Sequence, residues 1–196
     1  MNKKILLVGG CGFIGHNLAL HLKKKGFSVS ITDSLSVNNV LSFTDSDIKN
    51  KKLYTSILNN RIELLNKNEI NLIVQDARDY HAISKVYGDI DPDIIIHLAA
   101  VSHANKSNKD PHSTFDHSFR TLENTLDFAR NKKVHVIYLS SSMVYGNFDS
   151  KDVNEETLCK PIGIYGTLKY SGELLVKAYN QVFDLPYTII RPSALY

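Results

Sequence analysis

Six short apolar runs, rich in Ile and Val, alternate with longer helix-like segments along this chain of 196 residues. Several of the runs are apolar throughout, which is typical of strands covered on both faces of a parallel sheet. The β-α-β-α order predicts a doubly wound α/β fold with one domain over residues 1–196. Strands are predicted at residues 4–9, 27–32, 71–76, 93–100, 135–141 and 187–192, and helices near residues 14–25, 52–68, 79–87, 111–131 and 165–183.

One long connection, at residues 34–69, interrupts this alternation. Its first part, SLSVNNVLSFTDSD, is predicted to be a loop, and its second part, KKLYTSILNNRIELLNKNE, an added helix. A connection of that length is unusual unless it serves a function. A further loop, SHANKS at residues 102–107, is predicted after the fourth strand.

Composition excludes several classes of partner. The net charge of +3 comes from 23 Lys and Arg against 20 Asp and Glu, and the basic residues are scattered, so nucleic acid is not expected as a partner. No run approaches the roughly 18 apolar residues that a membrane-spanning helix needs. The two cysteines lack a CxxC spacing and the histidines lack metal-ligand spacing, so we expect a cytoplasmic protein with no metal site.

A glycine-rich turn joins the first predicted strand to the first predicted helix. Gly9, Gly12 and Gly15 form a G-x-x-G-x-x-G pattern in GGCGFIGHNL. Such a turn lets the backbone approach a pyrophosphate without a Cβ in the way, and the helix N-terminus offers free N–H groups to the phosphates. The alternative is that the glycines serve only a tight turn.

An acid follows this turn at the end of the second predicted strand. Asp33 lies 18 residues after Gly15, close to the spacing of an acid that binds the adenosine ribose hydroxyls of a dinucleotide. A carboxylate there would repel a 2′-phosphate, so NAD is favoured over NADP. The alternative is that Asp33 only caps the segment that follows.

Tyr165 and Lys169 are four residues apart in the last predicted helix, and positions i and i+4 share one helical face. A tyrosine of pKa about 10 is a poor base at pH 7. A lysine ammonium one turn away stabilises the phenolate and lowers that pKa. Such pairs are common on ordinary helices, so the spacing alone leaves a structural interpretation open.

Six features of the sequence, taken in chain order, resemble those of the extended short-chain dehydrogenase/reductases. They are GGCGFIG, Asp33, QDARD, HLAA, SSSMVYG and Tyr165-x-x-x-Lys169. More narrowly, the chain resembles the NAD-dependent epimerase/dehydratase family that acts on nucleotide sugars, over essentially its whole length. The resemblance implies a Rossmann-type fold with NAD as the cofactor and a nucleotide sugar as the substrate.

The resemblance also implies roles for individual residues. Ser141, Tyr165 and Lys169 are the expected catalytic residues. Ser102, His103, Ser107 and Ser142 are candidates on the substrate side, although a solvated loop explains residues 102–107 equally well. The expected cofactor-binding residues are Gly9, Gly12, Phe13, Ile14, Gly15, Asp33, Asp76, Ala77, Leu98, Ala99, Ala100, Ser140, Tyr165, Lys169 and Pro192.

Differences from the family pattern narrow the expected reaction. Relatives that dehydrate the sugar place an Asp–Glu pair after the catalytic Ser or Thr, whereas this chain has Ser142 and Met143. We therefore expect 4-epimerisation through a transient 4-keto sugar. Reduction or decarboxylation of a nucleotide sugar is the alternative, with dehydration, which Ser142 and Met143 disfavour, as the other reaction of the family. Ser118 stands where the family usually has the Asn that supports the catalytic tyrosine.

Family members usually continue into a C-terminal substrate lobe, which the resemblance implies is absent or truncated here. A non-catalytic NAD-binding module is therefore the remaining alternative. The family's usual homodimer would form through the helices predicted at residues 111–131 and 165–183.

Overall fold

A computed structural model describes residues 2–37, 39–43, 49–102, 104–148 and 152–193. The chain divides into two compact units, residues 1–99 and residues 100–196.

The first unit is a parallel sheet with its connecting helices. Its strands pair in the order β3-β2-β1-β4, with Val8 of β1 opposite Thr32 of β2 on one side and His97 of β4 on the other. The chain moves outward from β1 to β3 and then returns to the far side of β1, so β1 and β4 flank a topological switch point. Ligands of doubly wound sheets bind outside the carboxyl ends of the strands at such a point. The elements are β1 (Lys4–Val8), α1 (Phe13–Lys24), β2 (Ser28–Asp33), a 3₁₀-helix (Val40–Phe43), α2 (Lys51–Lys67), β3 (Asn71–Val74), α3 (Tyr80–Ile90) and β4 (Ile94–His97).

The central strand β1 explains why an unbroken apolar run is needed here. Leu6, Leu7 and Val8 have no exposed surface, since β1 has a strand on either side and buried faces above and below. Burying one such side chain contributes about 1.5–3 kcal/mol. The strand therefore places the turn that follows it at the edge of a rigid core.

The second unit contains two parallel strands and a helical layer, with Leu139 of β5 opposite Ile190 of β6. Its long helix, α7, buries a stripe of residues spaced by three and four: Gly166, Lys169, Gly172, Glu173 and Val176. The elements are α4 (Ala104–Lys109), α5 (Pro111–Phe115), a π-helix (Asp116–Arg120), α6 (Thr121–Lys132), β5 (His135–Leu139), a 3₁₀-helix (Ser142–Tyr145), α7 (Gly163–Phe183) and β6 (Tyr187–Ile190).

Parallel strands alternating with helices confirm the doubly wound α/β class, and all six predicted strands form. Two local predictions are wrong. The segment 111–131 is not one continuous α-helix, because a π-helical stretch at Asp116–Arg120 separates α5 from α6. The predicted loop at 102–107 becomes helix α4 from Ala104 onward, because α4 packs against α7, a contact that the local sequence does not reveal. Among the described residues, no helix combines the length and apolar character needed to cross a membrane.

Candidate functional site

The glycine turn after β1 is closely packed at three of its four glycines, which explains why those positions carry no side chain. Gly9 adopts a φ of 74°, in the left-handed region, and a Cβ there would lie 2.6 Å from the Cα of Ala99. A Cβ on Gly10 would lie 2.8 Å from the Cβ of Leu7, and one on Gly15 would overlap the backbone of Gly10. The turn therefore has no room for a Cβ at Gly9, Gly10 or Gly15, whereas a Cβ on Gly12 would meet only the carbonyl oxygen of Gly9, at 3.9 Å.

Helix α1 opens directly from this turn. Its N-cap is Gly12, which has no side chain to accept a bond from the first N–H groups, and its first turn contains no acidic residue. The imidazole Nδ1 of His16 lies 2.9 Å from the carbonyl oxygen of Gly12, so Nδ1 carries the proton in this contact. The helix N-terminus therefore offers donors and a positive dipole to an anion.

Asp33, at the end of β2, is bonded to the same turn. Its carboxylate accepts a hydrogen bond from the backbone N–H of Cys11 at 2.9 Å and another from that of Leu35 at 2.8 Å. Burial raises the pKa of Asp33, and the two backbone N–H groups act in the opposite direction. A carboxylate has about four lone-pair sites, so two backbone bonds leave capacity for the hydroxyls of a ribose.

The other predicted cofactor residues of the first unit lie after β3 and β4. Asp76 is bound by Arg78, whose Nε and Nη2 lie 3.0 and 2.7 Å from its Oδ2, and Ala77 is buried beside it. The backbone N–H of Leu98 donates to the carbonyl of Val8 at 2.8 Å, which holds the end of β4 next to the glycine turn. A closely packed glycine turn, an acid bonded to that turn and the ends of parallel strands fit a bound dinucleotide.

In the second unit, the Ser141 hydroxyl acts on the Tyr165 phenol. Ser141 follows β5, and its Oγ accepts the backbone N–H of Met143 at 3.2 Å at the start of the 3₁₀-helix. Burial raises the pKa of Tyr165, and the Ser141 hydroxyl opposes that rise. The structure thus brings together two of the three predicted catalytic residues.

Lys169 is the third predicted catalytic residue, and it is almost fully buried. Its Nζ donates to the carbonyl oxygen of Leu139 at 2.7 Å and lies 5.2 Å from the ring centre of Tyr138. Burial lowers the pKa of Lys169 to about 8. The expected lowering of the Tyr165 pKa by this ammonium stays a prediction, because burial and Ser141 set the Tyr165 pKa in this structure.

A buried ionic cluster lies next to these residues, and sequence reasoning missed it. Glu173 has no exposed surface, and its Oε1 accepts the Ser140 hydroxyl at 2.6 Å. Arg191 donates to both Glu173 oxygens, from Nε at 2.9 Å and from Nη2 at 2.7 Å, and its Nη1 donates to the hydroxyl of Tyr145 at 3.0 Å. The available signal was an acid four residues beyond Lys169 on the same helical face.

Close packing of α7 on its surroundings was also missed. A Cβ on Gly172 would overlap the hydroxyl of Tyr138, and a Cβ on Gly166 would lie 2.8 Å from the carbonyl oxygen of Met143. These two glycines let the helix approach β5 and the 3₁₀-helix more closely than any other residue would allow. The signal was glycine repeated inside a strongly helical segment, which points to a packing requirement.

The remaining predicted site residues of the second unit differ in their exposure. Ser107 is buried in α4, Ser102 is exposed and Ala100 is half-buried, whereas His103 lies outside the described residues. The backbone N–H of Ser142 donates to the carbonyl of Pro192 at 2.9 Å. Ser118, in the π-helix, accepts the backbone N–H of Val101 at 3.2 Å through its Oγ.

The fold and the glycine turn with Asp33 define a dinucleotide-binding α/β protein. It also carries the set of Ser141, Tyr165 and Lys169. Residues 5–196 match the model of the "NAD dependent epimerase/dehydratase family". The chain belongs to this family, whose cofactor is NAD.

Curated relatives include 4-epimerases and a dehydratase. The chain is 30% identical over 195 residues to Protein CapI of Staphylococcus aureus, covering 98% of this chain and 54% of that protein. It is 27% identical to UDP-glucuronate 4-epimerase 6 of Arabidopsis thaliana, covering 98% of this chain and 39% of the relative. It is 28% identical to dTDP-D-glucose 4,6-dehydratase of Dictyostelium discoideum, covering 99% of this chain and 44% of the relative. The chain thus spans about half the length of the curated relatives it matches.

A solved structure of a 4-epimerase is also similar to this chain. UDP-glucuronic acid 4-epimerase of Bacillus cereus, in complex with UDP-glucuronic acid and NAD, is 29% identical, with a TM-score of 0.76. The match covers 96% of this chain and 55% of that one.

Proposed function

We propose that this chain is the NAD-binding part, with the proton-transfer residues, of a nucleotide-sugar 4-epimerase. The observation that carries the proposal is the placement of Tyr165 and the buried Lys169 one turn apart on α7, with the Ser141 hydroxyl acting on the Tyr165 phenol. A phenol next to a serine hydroxyl is suited to take a proton from a sugar hydroxyl and to return it.

Each residue has a separate part in this proposal. Tyr165 removes the proton from the C4 hydroxyl and gives it back after the resulting 4-keto sugar has turned over. Ser141 donates a hydrogen bond to the C4 oxygen and holds it near the phenol. Lys169, when protonated, stabilises the phenolate by its positive charge. Bound NAD supplies the acceptor and donor of the C4 hydride, so the cofactor is regenerated in each cycle.

The first unit would hold the cofactor through the turn at Gly9–Gly15 and through Asp33. Asp33→Asn keeps the size of the side chain but removes its charge. We expect this variant to bind NAD more weakly and to discriminate less against NADP, which calorimetric titration with each cofactor measures. Unchanged affinities for both cofactors would remove the role given to Asp33. Asp89→Asn is the matched control, because Asp89 is exposed on α3 and is not among the predicted cofactor residues.

Epimerisation is favoured over dehydration because of the residues that follow Ser141. Ser142 and Met143 begin the 3₁₀-helix, and neither side chain is a carboxyl acid or base able to eliminate water. Because one of the relatives is a dehydratase, the assay must also be able to detect a dehydrated product.

The test is turnover of UDP-glucose, UDP-glucuronate and UDP-arabinose with NAD, followed by proton NMR of the sugar. We expect the C4 epimer of at least one sugar to form, and Tyr165→Phe to abolish its formation. Tyr170→Phe, which changes a half-buried tyrosine on the same helix, is expected to retain activity. A 4-keto-6-deoxy product would identify dehydration, net oxidation of NADH a reductase, and release of CO₂ a decarboxylase. NAD binding without turnover of any sugar would favour a non-catalytic module.

We also propose that the protein forms a homodimer through α7. Leu174, Ala178 and Val182 form an exposed apolar stripe on this helix, with Leu174 50% and Val182 70% exposed. Covering such a stripe with a second copy removes apolar surface from water. Sedimentation analysis is expected to give a dimer that Leu174→Lys converts to a monomer. A wild-type chain that sediments as a monomer would contradict the proposal.

A further inference from the structure

The buried ionic cluster of the second unit lies where three elements meet. Glu173 is on α7, four residues after Lys169, and Ser140 is the residue next to Ser141 at the end of β5. Arg191 directly follows β6. A single carboxylate therefore connects the helix that carries Tyr165 and Lys169 with the strand end that carries Ser141.

The carboxylate is fully satisfied by these neighbours. Oε1 accepts from Ser140 at 2.6 Å and from Arg191 Nε at 2.9 Å, while Oε2 accepts from Arg191 Nη2 at 2.7 Å. Charge-assisted bonds of this length, in a bidentate arrangement, fix direction as well as distance. Arg191 is held in turn by the hydroxyl of Tyr145 at 3.0 Å and by the carbonyl of Glu155 at 3.2 Å.

Stability alone is a weak reason for such a cluster. Taking an ion pair out of water costs free energy, and the attraction between its two charges often does no more than offset that cost. Apolar residues of similar volume frequently give a fold of equal stability. What a bonded charge cluster adds is a defined geometry between the elements that it joins.

We propose that Glu173 is a positioning residue that holds the end of β5 against α7 and thereby sets the distance between Ser141 and Tyr165. The inference rests on the proposed roles of Ser141, Tyr165 and Lys169. Glu173 acts through Ser140, which shares the backbone with Ser141, and through its own helix, which fixes the phenol eight residues earlier. It does not touch the reacting atoms.

The experiment removes the hydrogen bond between Ser140 and Glu173 without leaving a buried charge unpaired. Ser140→Ala deletes the hydroxyl that joins β5 to Glu173 and leaves the Glu173–Arg191 pair intact. Thr125→Val is the matched control, since it deletes a buried hydroxyl of the same unit that bonds the carbonyl of Thr121 at 2.9 Å, within α6. Both variants should lose a comparable, small amount of stability.

The readout needs neither cofactor nor turnover. In the full chain labelled with ¹³Cε-lysine and ¹³Cζ-tyrosine, NMR reports the pKa of Lys169 and the hydrogen bonding of Tyr165, with Lys169→Met and Tyr165→Phe assigning the signals. We expect Ser140→Ala to raise the Lys169 pKa toward its usual value and to move the Tyr165 signal, and Ser140→Thr to restore both. Thr125→Val should change neither signal.

Turnover, if the proposed function holds, provides a second readout. Because a misplacement of about 1 Å costs up to roughly a hundredfold in rate, kcat should fall tenfold or more in Ser140→Ala. If no sugar is turned over at all, the proposed function fails while the NMR result still decides the role of Glu173. The proposal is overturned if Ser140→Ala and Glu173→Gln lower the melting temperature but leave the Lys169 and Tyr165 signals at their wild-type positions.

Discussion

Replacing Lys169 by Met should make the protein more stable at pH 7. The ammonium of Lys169 is almost fully buried, and burial lowers its pKa from 10.5 to about 8. Keeping a charge in that environment costs folding free energy, and Met fills a similar volume without a charge. The residue to which we assign a catalytic role is therefore expected to weaken the fold that contains it.

The magnitude follows from the pKa. A fall from 10.5 to about 8 corresponds to about 3 kcal/mol at pH 7, since one pKa unit is about 1.4 kcal/mol. Met also leaves the Leu139 carbonyl without the Nζ donor at 2.7 Å, a loss of about 1–2 kcal/mol. The net expectation is that Lys169→Met is about 1–2 kcal/mol more stable than wild type at pH 7.

The pH dependence gives this prediction a signature. Below pH 8, Lys169 is charged in the folded and unfolded chains alike, so the cost is fully present. Between pH 8 and 10.5 the unfolded chain binds a proton that the folded chain has released, so the stability of the wild type rises with pH. By pH 10 the wild type should have gained about 2.5 kcal/mol relative to the variant, which reverses the order of the two.

Urea unfolding at pH 7 and pH 10, followed by circular dichroism, measures both differences. Comparing variant with wild type at each pH cancels the contribution of the titratable groups that the two proteins share. Lys52→Met is the control, because Lys52 is exposed on α2 and its charge stays in water in both states. A difference between Lys169→Met and wild type that is the same at pH 7 and pH 10 would refute the argument, since it would mean that the ammonium is not desolvated.

Two further predictions concern packing and thiol reactivity. Gly172→Ala should destabilise the chain by about 1–3 kcal/mol in urea unfolding, because its Cβ would overlap the Tyr138 hydroxyl. Gly88→Ala, a helical position with nothing within 4 Å of the new Cβ, should instead gain about 0.5–1 kcal/mol, and equal effects of the two changes would argue against the close contact. Burial and the Asp33 carboxylate raise the pKa of Cys11 to about 11, so about one thiol in a thousand is ionised at pH 8. Ellman's reagent should therefore modify Cys159, which is half-buried, well before Cys11, and fast modification of both thiols would contradict that pKa.

The features that sequence reasoning predicted are those encoded locally. The glycines at 9 and 15 occur together because one turn has no room for a side chain at either position, and Tyr165 and Lys169 are four apart because one helical face carries both. Apolar runs without alternation identified strands buried on both faces. These patterns depend on neighbours within about one strand or a few helical turns, so a single sequence reveals them.

The features that were missed depend on residues far apart in the chain. Glu173 and Arg191 are 18 positions apart, on a helix and after a strand, and no spacing rule pairs them. The carboxamide of Asn108 accepts the backbone N–H of Ile164 at 3.2 Å, across 56 positions, at the start of α7. The segment that forms helix α4, which carries Asn108, was predicted as a loop. Its helical form is supported by packing on α7, which is also distant in the chain.

Helix α7 buries two opposite charges four residues apart, and the fold treats them differently. The Glu173 carboxylate is neutralised by Arg191 and bonded by Ser140, so its burial is compensated where it stands. The Lys169 ammonium has the Leu139 carbonyl, a dipole that carries no full charge, and its pKa falls accordingly. A positive charge that no anion neutralises remains able to act on a neighbouring phenol, whereas the bidentate pair fixes the geometry of the Glu173 carboxylate. The two buried charges of α7 therefore suit different roles: Lys169 supplies charge to the proposed site, and Glu173 supplies a fixed connection between α7 and the end of β5.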